Sequence, residues 1–333
     1  PGGVSIGGII GALERIGSIE NCYSYANISA LNVSNGNGVG GIVGDVSNLE
    51  VVITNCYNYG NVSSSGDTGG IVGSFPPDSI TGVIGNSEIT GCANYGDISS
   101  SGYYSGGIVG SYFSLQQNSN SFYIKESYNM GNVVGENNVC GILGFCNPNA
   151  NYFYIENCFN TGEITSQAND GIACGIGSVS NYGNTRLQIY RSYNAGKVNG
   201  ATVYGIATVR ARSNGTVSRC VNIGKLTSTK INYPISNPSF SSLSNCYFLK
   251  GSSNSQYENA TIYGTVCSEE DTKNIDWYIN TVGWSSDVWS IVEGVNNGYP
   301  ILEAVQLVTI TYHPNGASGS EVVESKVGNA SYT

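Results

Sequence analysis

The 333-residue chain has one histidine, His313, one methionine, Met130, and only 11% charged residues. A Ser-His-Asp triad or a conventional zinc site would have to be built on that single imidazole, and no Cys-x-x-Cys pair is present as a substitute. No cofactor or metal is therefore expected. No apolar run approaches the roughly 18 residues of a membrane-spanning helix, and no charged-then-apolar leader opens the chain. Pro1 stands inside a repeat, so the chain reads as part of a longer protein. Basic residues are also scarce: 13 Lys and Arg against 23 Asp and Glu give a net charge of -10. That balance argues against a nucleic-acid partner, because attraction to phosphates needs clustered cations.

The chain is rich instead in glycine (46), tyrosine (24), asparagine and serine. Glycine without a Gly-X-Y period excludes collagen, and 40% hydrophobic residues argue against disorder. Two phrases alternate along the sequence. One is of Gly-Gly-Ile-Val-Gly type, at Gly7 to Gly11, Gly40 to Gly44, Gly69 to Gly73 and Gly106 to Gly110, with weaker copies at Cys140 to Gly144, Cys174 to Gly177 and Tyr204 to Ala207. The other is Ile-x-Asn-Cys-Tyr-Asn-x-Gly-x-Val. Its Cys position holds Cys22, Cys56, Cys92, Ser127, Cys158, Ser192, Cys220 and Cys246, at spacings of 26 to 36 residues.

Aligned copies resolve into columns. Three residues before the Cys lie Ile19, Ile53, Ile89, Ile124, Ile155, Ile189, Val217 and Leu243; six after it lie Ile28, Val62, Ile98, Val133, Ile164, Val198 and Leu226. Both columns are aliphatic throughout and predict inward, stacked positions on strands. Between them Asn27, Asn61, Asp97, Asn132, Glu163, Lys197 and Lys225 alternate with the aliphatics and must face water. Two after the Cys, Asn58, Asn94, Asn129, Asn160, Asn194 and Asn222 suggest a ladder of amides at a bend. Four after it, Gly60, Gly96, Gly131, Gly162, Gly196 and Gly224 suggest a corner in left-handed or tightly turned backbone.

Glycine interrupts every segment long enough for a helix, which excludes a helical repeat of this length. The columns predict an all-β chain, a right-handed parallel β-helix (β-solenoid) of about 7–8 rungs with three short strands per rung. At about 4.8 Å per rung it would be on the order of 40 Å long.

The chain resembles the GLUG-motif repeat proteins, whose Gly-Leu-small apolar-Gly string here reads Gly-Ile-Val-Gly. The resemblance spans about residues 1 to 302 and includes the phrase from Trp289 through Gly298-Tyr299-Pro300-Ile301-Leu302. It implies a secreted or wall-attached bacterial surface protein, of the kind found in adhesins and in accessory regions of surface proteases. Val308 to Gly316 resembles the opening strand and turn of the internalin-type B-repeat, which implies the same location. The expected organisation is a solenoid over 1–250, a C-terminal cap with a short helix over 251–305, and a truncated B-repeat-like module over 306–333. Ser268 is the expected N-cap, and Trp277, Tyr278, Trp284 and Trp289 the apolar surface of the cap.

Ten cysteines would ordinarily suggest disulfides, but six share a column in which Ser127 and Ser192 substitute, so small buried thiols are expected. Cys140 and Cys174 begin corresponding phrases and are the one pair whose stacking would permit a bond. Acidic residues such as Asp97, Glu126, Glu156 and Glu163 sit singly, and although Glu126 and Glu156 are assigned to one outward column, no paired-carboxylate groove is expected.

Charge is uneven along the chain. Between Gly171 and Tyr257 there is no acidic residue, against nine basic ones: Arg186, Arg191, Lys197, Arg210, Arg212, Arg219, Lys225, Lys230 and Lys250. Arg191 shares a column with Arg219, and Lys197 with Lys225. The candidate ligand site is thus a basic patch of Arg191, Lys197, Arg210, Arg212, Arg219 and Lys225, suited to an anionic glycan, teichoic acid or acidic protein. A stripe of Tyr23, Tyr57, Tyr128, Phe159, Tyr193 and Tyr247 could stack on sugars, but aromatic stacking between rungs stabilises a solenoid by itself and is the expected role. The expectation is a monomeric, non-catalytic adhesion or scaffold region at the bacterial cell surface that binds host or cell-wall glycans or surface proteins. The alternative is a glycan-binding accessory region of a larger secreted protease or glycoside hydrolase.

Overall fold

The computed structural model describes residues 4–14, 17–34, 36–47, 50–76, 86–113, 118–147, 150–181, 186–211, 215–238, 241–303, 307–312 and 322–327. The chain divides into two units, Pro1–Cys267 and Ser268–Thr333. The first is a parallel β-solenoid. Each rung is broken into five short strands rather than the expected three; the second rung runs Gly38–Gly40, Val43–Val46, Val51–Thr54, Tyr57–Asn58 and Val62–Ser64. Equivalent strands stack into parallel sheets of seven, eight and nine strands. A 13-stranded sheet holds the first and fifth columns, joined through Val198–Tyr204. These numbers agree roughly with the seven or eight sequence copies.

Two local features cause the extra breaks. The paired glycines turn the chain between the first and second strands. The residue just before the Cys position adopts left-handed backbone, at Asn21, Asn55, Gly91, Glu126, Asn157, Arg191, Arg219 and Asn245, with φ between 46° and 64°. Asn and Gly tolerate this region, whereas Glu and Arg do not favour it. Glu126→Asn is therefore expected to raise stability by about 0.5–1 kcal/mol. A thermal melt checks this: an unchanged or lower midpoint would show that Glu126 is held there by something other than its backbone.

The aliphatic columns stack in direct register, as Ile19↔Ile53↔Ile89 and Val62↔Ile98↔Val133 show. They form two apolar stacks. The larger contains Ile42, Val43, Ile53 and Cys56 with their equivalents, and the smaller contains Val39, Val62, Ile98 and Val133 with theirs. Between them the rung is pinched. A Cβ on Gly41 would fall 2.2 Å from the carbonyl oxygen of Gly70 and 2.3 Å from Cγ of Asn58. The same contact recurs as Gly70 with Asn94, Gly107 with Asn129, Gly141 with Asn160, Gly175 with Asn194 and Gly205 with Asn222. The two recurring phrases are thus two sides of one contact across the rung.

The expected asparagine ladder runs through that waist, fully buried. Nδ2 of Asn58 donates to Oδ1 of Asn94 at 2.8 Å, and the chain continues through Asn129, Asn160, Asn194 and Asn222 at 2.7 to 2.9 Å. Each Nδ2 also donates to a glycine carbonyl two residues on, such as Gly60 at 2.7 Å. Of the two alternatives expected for those column glycines, left-handed backbone is not the one found. A Cβ on Gly60 would lie 2.0 Å from the Ala26 oxygen, so glycine is required by the close approach of the rung below.

In the Cys column each thiol donates to the carbonyl two residues before it, as Cys56 does to Thr54 at 3.4 Å and Cys158 to Glu156 at 3.3 Å. Ser127 and Ser192 make the same bond, to Lys125 at 2.7 Å and Tyr190 at 3.0 Å, which explains the interchange. All ten cysteines, including the register partners Cys140 and Cys174, carry free thiols. Burial pushes Cys158 up to about 12, and only Cys22 is part-exposed. Native protein is accordingly expected to react with Ellman's reagent at about one thiol and denatured protein at all ten; several fast-reacting thiols in native protein would contradict the packed column.

The second unit begins with Ser268 capping a short helix, Glu269–Thr272. Ser268 Oγ accepts from the Asp271 amide at 3.1 Å, and Asp271 Oδ2 accepts from the Ser268 amide at 2.8 Å. Tyr278 packs on Trp284, and Trp284 on Trp289, each at 4.4 Å between ring centres. The segment expected to open a B-repeat forms a strand, Leu307–Tyr312, antiparallel to Val322–Val327. His313 to Gly316 lie outside the described residues.

Candidate functional site

The outward column between the aliphatics is exposed in every rung, as its polarity demanded. In the first five rungs its side chains form an external ladder: Asn27 Oδ1 accepts from the Asn61 amide at 2.9 Å, Asn61 from Asp97 at 2.9 Å, Asp97 from Asn132 at 2.8 Å and Asn132 from Glu163 at 3.0 Å. The next two members, Lys197 and Lys225, cannot accept. Register places them on adjacent strands, because Val198 pairs with Leu226. Two lysines side by side in a parallel sheet repel one another. Glu163, the neighbouring acid of the column, accepts from Nδ2 of Asn199 at 2.7 Å.

The remaining predicted site residues divide. Arg191 and Arg219 share the left-handed turn position, as expected. Arg191 does not present a free charge: it pairs with Glu156 at 3.3 Å, lies 5.6 Å from the centre of the Tyr190 ring, and its Nε is buried without a partner. Arg210 lies on the strand Ala207–Ala211, with its side chain outside the described residues, and Arg212 is outside them altogether. Lys230, from the same basic stretch, pairs with Asp170. The exposed part of the patch that the structure brings together is Lys197 with Lys225.

One sequence reading is corrected. Glu126 and Glu156 do not share a column, because Glu156 pairs with Lys125 and Glu126 occupies the turn. Of the two roles open to the aromatic stripe, the structure supports stacking between rungs: Tyr57, Tyr128, Phe159 and Tyr193 are buried, and Tyr23 is exposed. Tyr23 stacks on Tyr57 at 5.2 Å, and Tyr128, Phe159 and Tyr193 stack at 4.7 and 5.2 Å with interplanar angles of 2° and 6°. Phe159, covered on both faces by Tyr128 and Tyr193, cannot stack on a sugar.

The structure also holds a pair of carboxyls that sequence reasoning missed. Asp67 is 0% exposed and Asp45 6%. Asp67 Oδ2 accepts from Ser111 at 2.6 Å while its Oδ1 has no partner, and Asp45 accepts from the Gly38 amide at 2.7 Å and from Ser5. Burial raises both above the usual carboxylate range, Asp67 to about 6. Enclosed to this degree, they cannot reach a polymeric substrate. Only their flanking by Gly38, Ser74 and Ser111 in the stacked columns could have revealed them.

No protein-family model matches the chain, and no curated protein matches it by sequence. Among solved structures it is similar to "a putative immunoglobulin A1 protease from Bacteroides ovatus", with a TM-score of 0.54 and 19% identity over 90% of this chain and 87% of that one. At this identity the likeness shows the shared fold alone.

Proposed function

We propose that this chain is a non-catalytic scaffold region of a bacterial surface protein and that it binds anionic glycans on its later rungs. The observation carrying this reading is the change in the outward column from Asn, Asp and Glu to the adjacent exposed pair Lys197 and Lys225. Nothing in the internal packing calls for that change, and a carboxylate or sulfate between the two ammonium groups would relieve their repulsion. The likeness to the Bacteroides ovatus protein favours a second reading, an accessory region of a larger secreted protease.

A glycan array comparing wild type with the Lys197→Ala/Lys225→Ala double variant tests the reading. Wild type is expected to bind acidic oligosaccharides in a salt-sensitive manner, and the variant at least tenfold more weakly. Equal binding by the two would remove the lysine pair from consideration. Turnover of a glycan or of an immunoglobulin by the purified chain would overturn the non-catalytic assignment.

A further inference from the structure

Turn length differs sharply between the fifth and sixth rungs, and a depression results. The chain takes nine residues from inward Ile164 to inward Ala173, but five from Val198 to Val203 and six from Leu226 to Asn232. These residues are nevertheless stacked in register. The short sixth rung is therefore recessed between longer neighbours. It forms the floor of a notch of about 340 Å³, with Gly200 and Ala201 at its base. One wall is the turn through Gln167 and Asn169, the other Thr227 to Thr229.

The walls are fixed before any ligand arrives. Ser166 Oγ donates to the Glu136 carbonyl at 2.6 Å, the Ala168 amide donates to the same carbonyl at 3.0 Å, and the Gly171 amide closes the turn on Ala168 at 3.0 Å. Asp170 and Lys230, next in sequence to Asn169 and Thr229, join the walls through an ion pair. The walls carry the hydroxyls of Ser166, Thr227, Ser228 and Thr229 and the amides of Gln167, Asn169 and Asn199, while apolar atoms make up the larger part of the lining surface. Asn199 and Thr227 also project from the outward face two residues beyond Lys197 and Lys225.

We infer that this notch is a saccharide subsite which receives the hydroxyl-bearing ring of an acidic oligosaccharide while its anionic group lies between Lys197 and Lys225. The volume falls in the range of small-molecule sites, and a rigid wall of hydroxyls and amides over a Gly-Ala floor matches a sugar's mixture of polar rim and apolar face. The inference rests on the glycan reading above and adds to it where the ring sits.

The test measures binding of hyaluronan, chondroitin sulfate and heparin oligosaccharides, with uncharged chitin and cellulose oligosaccharides as counterparts. Thr229→Trp and, independently from the opposite wall, Asn169→Trp fill the notch from exposed positions, and a melting curve confirms each fold. Wild type is expected to bind at least one acidic oligosaccharide, and both tryptophan variants to bind it at least tenfold more weakly. Undiminished binding by both folded variants would overturn the notch and leave the lysine reading standing. Equal binding of acidic and uncharged sugars, lost in both variants, would support the notch and overturn the lysine reading. Absence of binding by wild type to every acidic sugar would overturn both.

Discussion

Asn129→Leu is expected to destabilise the solenoid by about 3–5 kcal/mol, a large share of the stability of an ordinary domain. Asn129 sits in the middle of the buried ladder. Its Nδ2 donates to the Gly131 carbonyl and to Oδ1 of Asn160, both at 2.7 Å, and its Oδ1 accepts from Asn94 at 2.7 Å. Leucine conserves the volume but removes all three bonds. It leaves the Gly131 carbonyl, Oδ1 of Asn160 and one N–H of Asn94 buried without these partners, each costing about 1–3 kcal/mol less what local relaxation recovers. The ladder has defined ends, because Asn58 pairs in register with Ser24 and Asn222 with Phe248. Oδ1 of Asn58 accordingly already lacks a partner. Asn58→Leu therefore strands one fewer group and is expected to cost less than the central substitution. Urea unfolding of the two variants checks this, and equal losses at both positions would reduce the ladder to a series of independent local turns.

The facing glycine sharpens the argument. A Cβ on Gly107 would lie 2.1 Å from the Gly141 carbonyl oxygen as well as 2.3 Å from Cγ of Asn129. Truncating Asn129 relieves only the second clash. Rungs packed backbone to backbone at this waist have no means of yielding separately, since each touches its neighbours above and below.

This waist also shows what a sequence of this kind discloses. Ile53, Asn58 and Val62 were legible because their equivalents stack without offset, so each physical column is also a textual one. The Gly41 and Asn58 columns were visible separately; their contact was not, because it joins residues 17 apart across the interior. The break into five strands depends on left-handed backbone at Asn55 and its equivalents, where Glu126 and Arg191 conceal the asparagine preference. The reading of Glu126 and Glu156 as one column failed for a related reason. Turn lengths vary, and an error of one residue transfers a side chain from strand to turn. Within the basic patch, register brought Lys197 beside Lys225 as expected. The ion pairs of Arg191 with Glu156 and Lys230 with Asp170 depend on acids from other rungs that a count of local charge does not include.

The buried carboxyl of Asp67 leads to the second large effect, in which a substitution stabilises. Burial pushes Asp67 up from 3.8 to about 6, against the lowering influence of the bond from Ser111 and of the nearby Gly36 backbone, and nearby Asp45 adds to the rise. With the folded value above the unfolded one, the folded state holds the proton more tightly. The resulting stability is present in full below about pH 4 and is lost as pH rises through about 6. A shift of about two units corresponds to roughly 3 kcal/mol. Asp67→Asn removes the ionisation and preserves an oxygen for the Ser111 hydroxyl. The variant is expected to match wild type near pH 4 and to exceed it by about 2–3 kcal/mol at pH 8. Because Asp45 is also raised and titrates in both proteins, the informative quantity is the difference between variant and wild type. Urea midpoints at pH 4, 6 and 8 measure it. A difference that stays constant across that range would mean that Asp67 remains ionised inside the fold, its Oδ1 satisfied by a donor such as bound water.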